Sequence, residues 1–198
     1  MSEFESPALQ AMDYVRRISR RDFLRAAALI AGAAAVTSVI PASTAFAAVP
    51  KGIRIMGADE YAVFKRLMEV MLPVKGTPLV QLNKVPVMET LDAALLATMP
   101  PHIWNGLKGG VKYFNEGPEA TFGKKFVDLT NVEAERFLDK WANSGEVPHR
   151  ALAMGLKKLV GLAYWANPPT WKPLGYDGPV SRKSGLVSYG NAPMPQQS

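Results

Sequence analysis

The spacing of apolar residues between residues 58 and 166 limits the possible folds more than any other feature of the sequence. Apolar residues recur there at intervals of three and four, in runs that stop at proline or glycine. Such spacing places side chains on one face of an α-helix, and no run alternates over a useful strand length. The sequence therefore predicts an all-α fold, a small irregular helical bundle of about five helices, over residues 58–72, 86–99, 103–114, 131–142 and 148–166.

Local signals indicate where several of these helices begin. Pro86 and Pro148 stand where a proline suits the first turn of a helix. Thr130 and Glu133 have the spacing of a capping box, in which each side chain accepts a hydrogen bond from the other residue's backbone N–H. The acidic residues on the predicted helices are expected to lie on solvated faces.

The third predicted helix contains Gly106, Gly109 and Gly110. Each glycine weakens a helix by up to ~1 kcal/mol relative to alanine. Two interpretations are open at this point. Either another helix approaches closely here, or the helix is broken.

The segment before residue 48 has the composition of a bacterial export signal. Its basic part is followed by the uncharged residues 26–40, and Ala45 and Ala47 are small residues at both recognition positions of a cleavage site. The basic part matches the twin-arginine pattern throughout, which predicts the twin-arginine translocase as a partner and the periplasm as the destination. The residues that carry this targeting pattern are Ser19, Arg20, Arg21, Phe23 and Leu24.

The apolar stretch of this signal is short for a membrane anchor. As a helix, residues 26–40 would span roughly 22 Å, less than the ~30 Å of a hydrocarbon core. Pro41 interrupts any continuation. We therefore expect a signal that is removed after Ala47, rather than one that stays as a membrane span.

The mature chain that such cleavage leaves has a composition that excludes several chemistries. The full sequence carries a net charge of +6 and contains no cysteine, so disulfides, cysteine-ligated iron–sulfur clusters and covalent haem attachment are excluded. Its histidines, His102 and His149, lie far apart beside prolines and are expected at the surface, without a zinc or copper site. No phosphate-binding or dinucleotide motif appears. Because these ligands and motifs are missing, we expect no cofactor in this chain. Export also separates the chain from nucleic acid, so we expect no nucleic-acid partner.

These features divide the sequence into four parts. The signal covers residues 1–47, a linker covers 48–57, and a helical domain covers 58–167. From Pro168 the sequence is rich in proline, glycine, serine and aromatic residues and loses helical periodicity. Residues 168–198 are therefore predicted to form an extended C-terminal tail, either disordered or laid against another surface.

The end of the last helix and the start of the tail resemble a known family. The run from Ala163 to Pro179 contains an aromatic pair, a proline-containing link, a tryptophan and then Gly-Tyr-Asp-Gly-Pro. This run is similar to the C-terminal signature of the gluconate 2-dehydrogenase subunit 3 family. The Asp59-Glu60-Tyr61 helix start, the Leu72-Pro73 stop and the twin-arginine signal also resemble that family, and the resemblance covers most of residues 58–179.

The resemblance implies an accessory subunit without a catalytic site. The expected partner is a large FAD-containing subunit of the glucose–methanol–choline (GMC) oxidoreductase type, which binds the flavin and oxidises a sugar, sugar acid or other alcohol. A haem c cytochrome subunit often joins such complexes and associates them with the membrane. The large subunit commonly lacks a signal of its own, so the small subunit is expected to escort it through the twin-arginine translocase.

The aromatic signature is the expected contact surface for this partner, because large aromatic side chains dominate many interfaces. The predicted interface residues are Tyr164, Trp165, Trp171, Gly175, Tyr176, Gly178 and Pro179. The alternative hypothesis is an independent periplasmic enzyme or ligand-binding protein with a pocket between helices. Such a pocket needs polar groups that converge in an apolar cleft, and the sequence does not identify such a set.

Overall fold

The computed structural model describes residues 5–18, 49–178 and 184–185, and all regular structure within them is helical. The predicted all-α class is confirmed. The α-helices are α1 Glu5–Arg17, α2 Ala58–Met71, α3 Val87–Thr90, α4 Pro101–Glu116, α5 Glu119–Phe122, α6 Asn131–Ala142 and α7 Val147–Trp165. A π-helix, Leu91–Leu96, continues α3, and short 3-10 helices cover Leu82–Lys84, Phe126–Asp128, Pro168–Thr170 and Lys172–Leu174.

Each of the predicted helices is present, with differences at two places. The second predicted helix begins as the α-helix α3 and continues as the π-helix. An additional short helix, α5, lies between α4 and α6. Helix α1 lies inside the segment assigned to the export signal. The predicted targeting residues, 19–24, and the predicted cleavage residues, Ala45 and Ala47, lie outside the described residues.

Helix α7 is the centre of the bundle. It contacts α1, α2, α3, α4 and α6, so its apolar face is covered along its whole length. An amphipathic helix with such a face is stabilised chiefly by this packing rather than by its own hydrogen bonds. The side chains of this face are fully or almost fully buried, as its spacing predicts: Leu152, Leu156, Leu159, Val160 and Ala163.

An aromatic cluster joins α4 to α6. The ring of Phe114 lies 4.8 Å from that of Phe126, 5.2 Å from that of Phe137 and 5.4 Å from that of Trp141, in edge-to-face orientations. Such pairs contribute about 0.5–1.5 kcal/mol beyond the area that they bury. The capping box at the start of α6 is also present, with Thr130 N–H donating to Glu133 Oε2 at 2.8 Å.

A buried carboxylate attaches the linker to the bundle. Asp92, in the π-helix, is only 1% exposed, and its oxygens accept hydrogen bonds from the backbone N–H groups of Arg54, Ile55 and Met56 at 2.7–3.2 Å. The expectation that acidic residues on the helices are solvated is wrong for this residue. A carboxylate in the interior is tolerated because three backbone donors replace its lost water.

The glycines of α4 do not break the helix, which is continuous from Pro101 to Glu116. Gly106 and Gly110 lie where other parts of the chain approach closely, whereas Gly109 faces open space. Close approach is therefore the correct interpretation for two of these positions. Among the residues that the structure describes, no helix is both long and apolar enough to cross a membrane.

A candidate partner-binding surface at the end of the last helix

The chain turns sharply after α7 and is held there by two buried polar side chains, Asn167 and Thr170. Asn167 Nδ2 donates to the carbonyl of Ala163 at 2.8 Å, and Thr170 Oγ1 donates to the carbonyl of Asn167 at 2.7 Å. The first bond satisfies a carbonyl of the last turn of α7, and such carbonyls have no partner within the helix. The second closes the turn that follows, together with the Thr170 N–H, which donates to the same carbonyl of Asn167 at 3.0 Å. The start of the predicted tail is thereby folded onto the domain in 3-10 turns instead of running extended.

The turn carries the aromatic residues of the C-terminal signature. Trp171 Nε1 donates to the carbonyl of Trp165 at 2.7 Å, and the ring of Tyr176 packs edge-on against the ring of Trp171 at 5.3 Å. Gly175 makes this return possible, because it adopts the left-handed conformation (φ 68°) that glycine favours. We call Trp165, Trp171 and Tyr176 the aromatic turn.

The aromatic turn presents apolar surface to solvent. Trp165 is 37% exposed and Tyr176 is 46% exposed, and the neighbouring Leu174 is also exposed. Isolated exposed apolar residues are normal, but several within one fixed turn form the kind of surface that another protein covers. Lys172 and Asp177, in the same stretch of chain, are exposed as well, so charged groups accompany the apolar ones at this surface.

Not every residue of the predicted interface is at the surface. Tyr164 is fully buried, and its hydroxyl donates to the carbonyl of Val80 at 2.7 Å. Burial raises the pKa of this hydroxyl above its ordinary value. Gly178 is buried beside the ring of Trp171, and Pro179 lies outside the described residues. The interface role of the predicted residues stays a prediction. Among them, Trp165 and Tyr176 have large side chains that are exposed.

Two polar residues that shape this surface were not predicted from the sequence. Asn167 and Thr170 lie within the C-terminal signature, but they were not among the predicted interface residues. Their signal was available in part, since asparagine and threonine after a helical run often bond to nearby backbone groups. Their burial could not be read from the sequence, because it depends on Thr90 and other residues far away in the chain.

Two other features of the described surface are a stacked histidine and an open groove. His149 stacks on the ring of Trp141 at 4.2 Å and bonds to the Tyr113 hydroxyl at 3.0 Å, which gives it a packing role in the bundle. Within the described ranges, no group of three or more His, Asp or Glu residues is placed to hold a metal ion. An open groove of about 630 Å³ lies between α2 and residues 82–89, with Lys65 and Glu69 among its lining residues.

The fold and the aromatic turn define a small helical protein with an apolar surface at the end of its central helix. Residues 58–178 match the family model for gluconate 2-dehydrogenase subunit 3, and the chain belongs to this family. The match ends at the aromatic turn and so includes it. Searches of curated proteins and of solved structures found no match. Membership in a subunit family makes the chain an accessory component of a multi-subunit dehydrogenase.

Proposed function

We propose that this chain is the non-catalytic small subunit of a periplasmic, membrane-associated dehydrogenase of the GMC type, which oxidises a sugar, sugar acid or other alcohol. The large subunit holds the FAD and carries out the oxidation, and a haem c cytochrome subunit is a further candidate member of the complex. The small subunit escorts the large one through the twin-arginine translocase and stabilises it afterwards. The match of residues 58–178 to the subunit family carries this proposal.

The twin-arginine sequence supports the escort role. The twin-arginine translocase carries folded proteins, which is useful when a cofactor must be inserted before export. This chain has the sequence pattern of the signal at Arg20 and Arg21 but no cofactor motif of its own. Both observations are explained if the cofactor belongs to a partner that is exported together with this chain.

The aromatic turn supports the assembly role. The ring of Trp171 is held by its hydrogen bond, the ring of Tyr176 packs against it, and the ring of Trp165 packs edge-on against that of Tyr164 at 4.7 Å. A partner that covers these rings therefore does not have to order them first. Pre-ordered aromatic side chains bind at a low cost in conformational entropy. We therefore propose that the large subunit covers Trp165 and Tyr176 together with the adjoining Leu174.

The escort role is tested by the double variant Arg20→Lys/Arg21→Lys, with a measurement of where the partner's dehydrogenase activity accumulates. We expect that activity to stay in the cytoplasm of the variant strain and to reach the periplasm of the native strain. The matched control is Arg16→Lys/Arg17→Lys, a neighbouring arginine pair whose side chains are exposed in α1. If the partner still reaches the periplasm when both arginines of the motif are replaced, the escort role is wrong.

The alternative, an independent enzyme or ligand-binding protein, makes a different prediction for the isolated chain. The groove of about 630 Å³ between α2 and residues 82–89 is a cavity that it could use, and it is larger than the one of about 310 Å³ between α2, α6 and α7. The purified protein would then contain a bound flavin or ligand, or turn over a substrate. A colourless and inactive protein that gains stability when the large subunit is added supports the accessory role.

A further inference from the structure

The surface between α4 and α7 forms a groove that is lined by glycines and filled by α1. Gly106 and Gly110 line it on α4, and Gly155 lines it on α7. A Cβ atom at Gly106 would overlap the backbone carbonyl of Pro7, and one at Gly155 would overlap the sulfur of Met12. Glycine at these positions therefore lets a second helix lie close to α4 and α7.

Other glycines of the same two helices show that this fit is specific to the groove. Gly109 on α4 and Gly161 on α7 have no neighbouring atom within 4 Å of the place where a Cβ would stand. A side chain could be added at either position without meeting another part of the described chain. Within α4 and α7, the tight glycines are thus those that α1 covers.

Helix α1 shows what kind of helix the groove fits. An alanine of α1 faces each glycine of α4. Ala8 Cβ lies 3.4 Å from the place of a Cβ at Gly110, and Ala11 Cβ lies 3.5 Å from that at Gly106. The charged residues near the end of α1 lie on its outer side. The fitted helix is therefore amphipathic, and its inner face carries small residues at the points of closest approach. The buried side chains of this face are Ala8, Ala11, Met12 and Val15.

The groove also binds one end of the docked helix. Lys158 Nζ of α7 donates to the carbonyl of Arg16 at 2.6 Å. The carbonyls of a last helical turn have no partner within the helix, and a cation is favourable near this end. Lys158 therefore recognises the C-terminal end of a helix in the groove, which sets the direction in which that helix lies.

Helix α1 has the properties of an occupant that can be replaced. It is 13 residues long, which is about the length at which an isolated helix is marginal in water. Docking must therefore supply most of its order. Its buried face is also small, because alanine side chains remove little apolar area from water. A helix that is already ordered in a folded partner loses less conformational entropy when it docks.

The position of the groove connects it with the accessory role. Residues 58–178 match the subunit family and include α4 and α7, whereas α1 lies before the matched region. Lys158 precedes Trp165 by seven residues on α7, which is about 10 Å along the helix axis. The groove thus belongs to the matched region and ends close to the aromatic turn, so one partner can reach both.

We propose that this groove is a docking site for a helix of the large subunit, and that α1 fills it until the large subunit displaces α1. The incoming helix is amphipathic, carries small residues where it meets Gly106 and Gly110, and ends at Lys158. Its contact adds to that of the aromatic turn. The proposal rests on the proposed accessory role, because it takes the large subunit as the partner.

Hydrogen exchange of the full-length precursor, alone and with the purified large subunit, tests the displacement. In the free chain we expect the amides of residues 5–17 to be protected. In the complex we expect their exchange to become about tenfold faster or more, while residues 147–165 stay protected. A complex in which residues 5–17 keep their protection would overturn the proposal. If no complex forms at all, the accessory role itself fails, and the proposal fails with it.

The same measurement on the free chain at rising concentration examines a different occupant. We expect the protection of residues 5–17 to be independent of concentration. If it falls as the concentration rises, a second copy of this chain takes the groove, and the assignment to the large subunit is wrong.

A cross-link that holds α1 in place provides a second test in the full chain. The protein contains no cysteine, so the variant Ala8→Cys/Gly110→Cys introduces a single pair. Its Cβ separation of about 3.4 Å is close to the usual range for a disulfide, and Leu152 must rotate to admit the new side chain. We expect the oxidised form to bind the large subunit about tenfold or more weakly than the reduced form, since only the aromatic turn stays available.

The reduced form carries the same two cysteines, so this comparison isolates the effect of the cross-link. The matched control is Ala8→Cys/Gly109→Cys, whose second cysteine lies away from α1. It should form no disulfide within the chain, and an oxidant should leave its affinity unchanged. Equal affinities of the oxidised and reduced Ala8→Cys/Gly110→Cys chain would overturn the proposal. So would the absence of a disulfide in that variant, because α1 would then not lie in the groove.

Discussion

Helix α7 makes one contact with α1 and another with the turn that follows Trp165, and the two contacts depend on different interactions. Helix α1 packs against α7 and α4 where glycines leave space for it. These glycines are Gly155 of α7 and Gly106 of α4. The turn after Trp165 is held by the polar side chains of Asn167 and Thr170. A contact that depends on shape is weakened by adding one methyl group, whereas a contact that depends on hydrogen bonds is weakened by removing one amide.

The two regions also differ in what they leave at the surface. Helix α1 buries its own apolar face and leaves Asp13, Arg16 and Arg17 outside. The turn buries Asn167 and Thr170 and leaves Trp165 and Tyr176 exposed. The apolar face of α1 is thus covered within this chain, whereas the turn leaves an apolar surface that another protein could cover.

The largest effect on stability is expected from Asn167→Ala. The substitution leaves the carbonyl of Ala163 and the turn without a buried donor, which should lower the free energy of unfolding by about 2–3 kcal/mol, measured by urea denaturation. Asn143→Ala is the matched control, because Asn143 Nδ2 makes the same bond to the carbonyl of Asp139 at 2.9 Å in an exposed position. Equal losses for the two variants would mean that burial does not matter at the turn.

The aromatic turn is tested by its affinity for the large subunit. Trp165→Ala and Tyr176→Ala should each weaken binding by about tenfold or more, since truncation of an interface aromatic commonly costs above 1 kcal/mol. Binding is measured by titration with the purified large subunit. Met154→Ala removes a side chain of the same helix that is 57% exposed, and it should leave the affinity unchanged. A loss with Met154→Ala that equals the other two would exclude the aromatic turn as the interface.

A smaller effect, with a change of sign, is expected for Gly106→Ala. In the precursor the new methyl group displaces α1 and lowers stability. In a chain that lacks residues 1–47 the same change should raise the free energy of unfolding by up to ~1 kcal/mol, because alanine favours the helix. Gly109→Ala should stabilise both forms. Thermal unfolding of the four proteins decides this, and a stabilised Gly106→Ala precursor would contradict the fitted contact.

The smallest effect is expected at the start of α6, which depends neither on a close fit nor on burial. Hydrogen bonds from Thr130 and the nearby Lys124 hold the pKa of the Glu133 carboxyl below its ordinary value of 4.5. A lowered pKa stabilises the fold above pH 4.5, and this contribution is lost as the pH falls through the pKa of the folded state. The stability difference between the native chain and Glu133→Gln should therefore shrink from pH 7 to pH 3, and a constant difference would contradict the capping role.

The features that were predicted correctly are those that local sequence determines. The apolar spacing of α2 and α7 follows directly from the helical period, and the capping box at Thr130 and Glu133 involves residues three apart in the chain. The aromatic residues of the turn could be singled out because they lie in one short stretch of sequence, and their role as an interface stays a prediction. In each case the interacting residues lie close together in sequence.

The features that were missed depend on contacts between distant residues. In the sequence, Asp92 looks like any solvent-exposed acidic residue of a helix. Its hydrogen-bond donors, the backbone N–H groups of the linker, lie 36–38 residues away in the chain. Tyr164 is apolar and aromatic like Trp165, and only the position of Val80 shows that it points inward. The role of Gly106 could not be decided either, because the sequence does not show that residues 5–17 approach it.

Helix α1 packs against α4 and α7, and this attachment decides how easily any other helix could take its place. Residues 19–48 connect two attached points, the end of α1 at Lys158 and the linker at Asp92. A tethered helix competes for its site at an effective concentration on the order of millimolar. An outside helix must overcome that concentration while the chain is intact. Cleavage after Ala47 would remove the tether, so residues 5–17 would then compete for this place only as a free peptide, on equal terms with an outside helix.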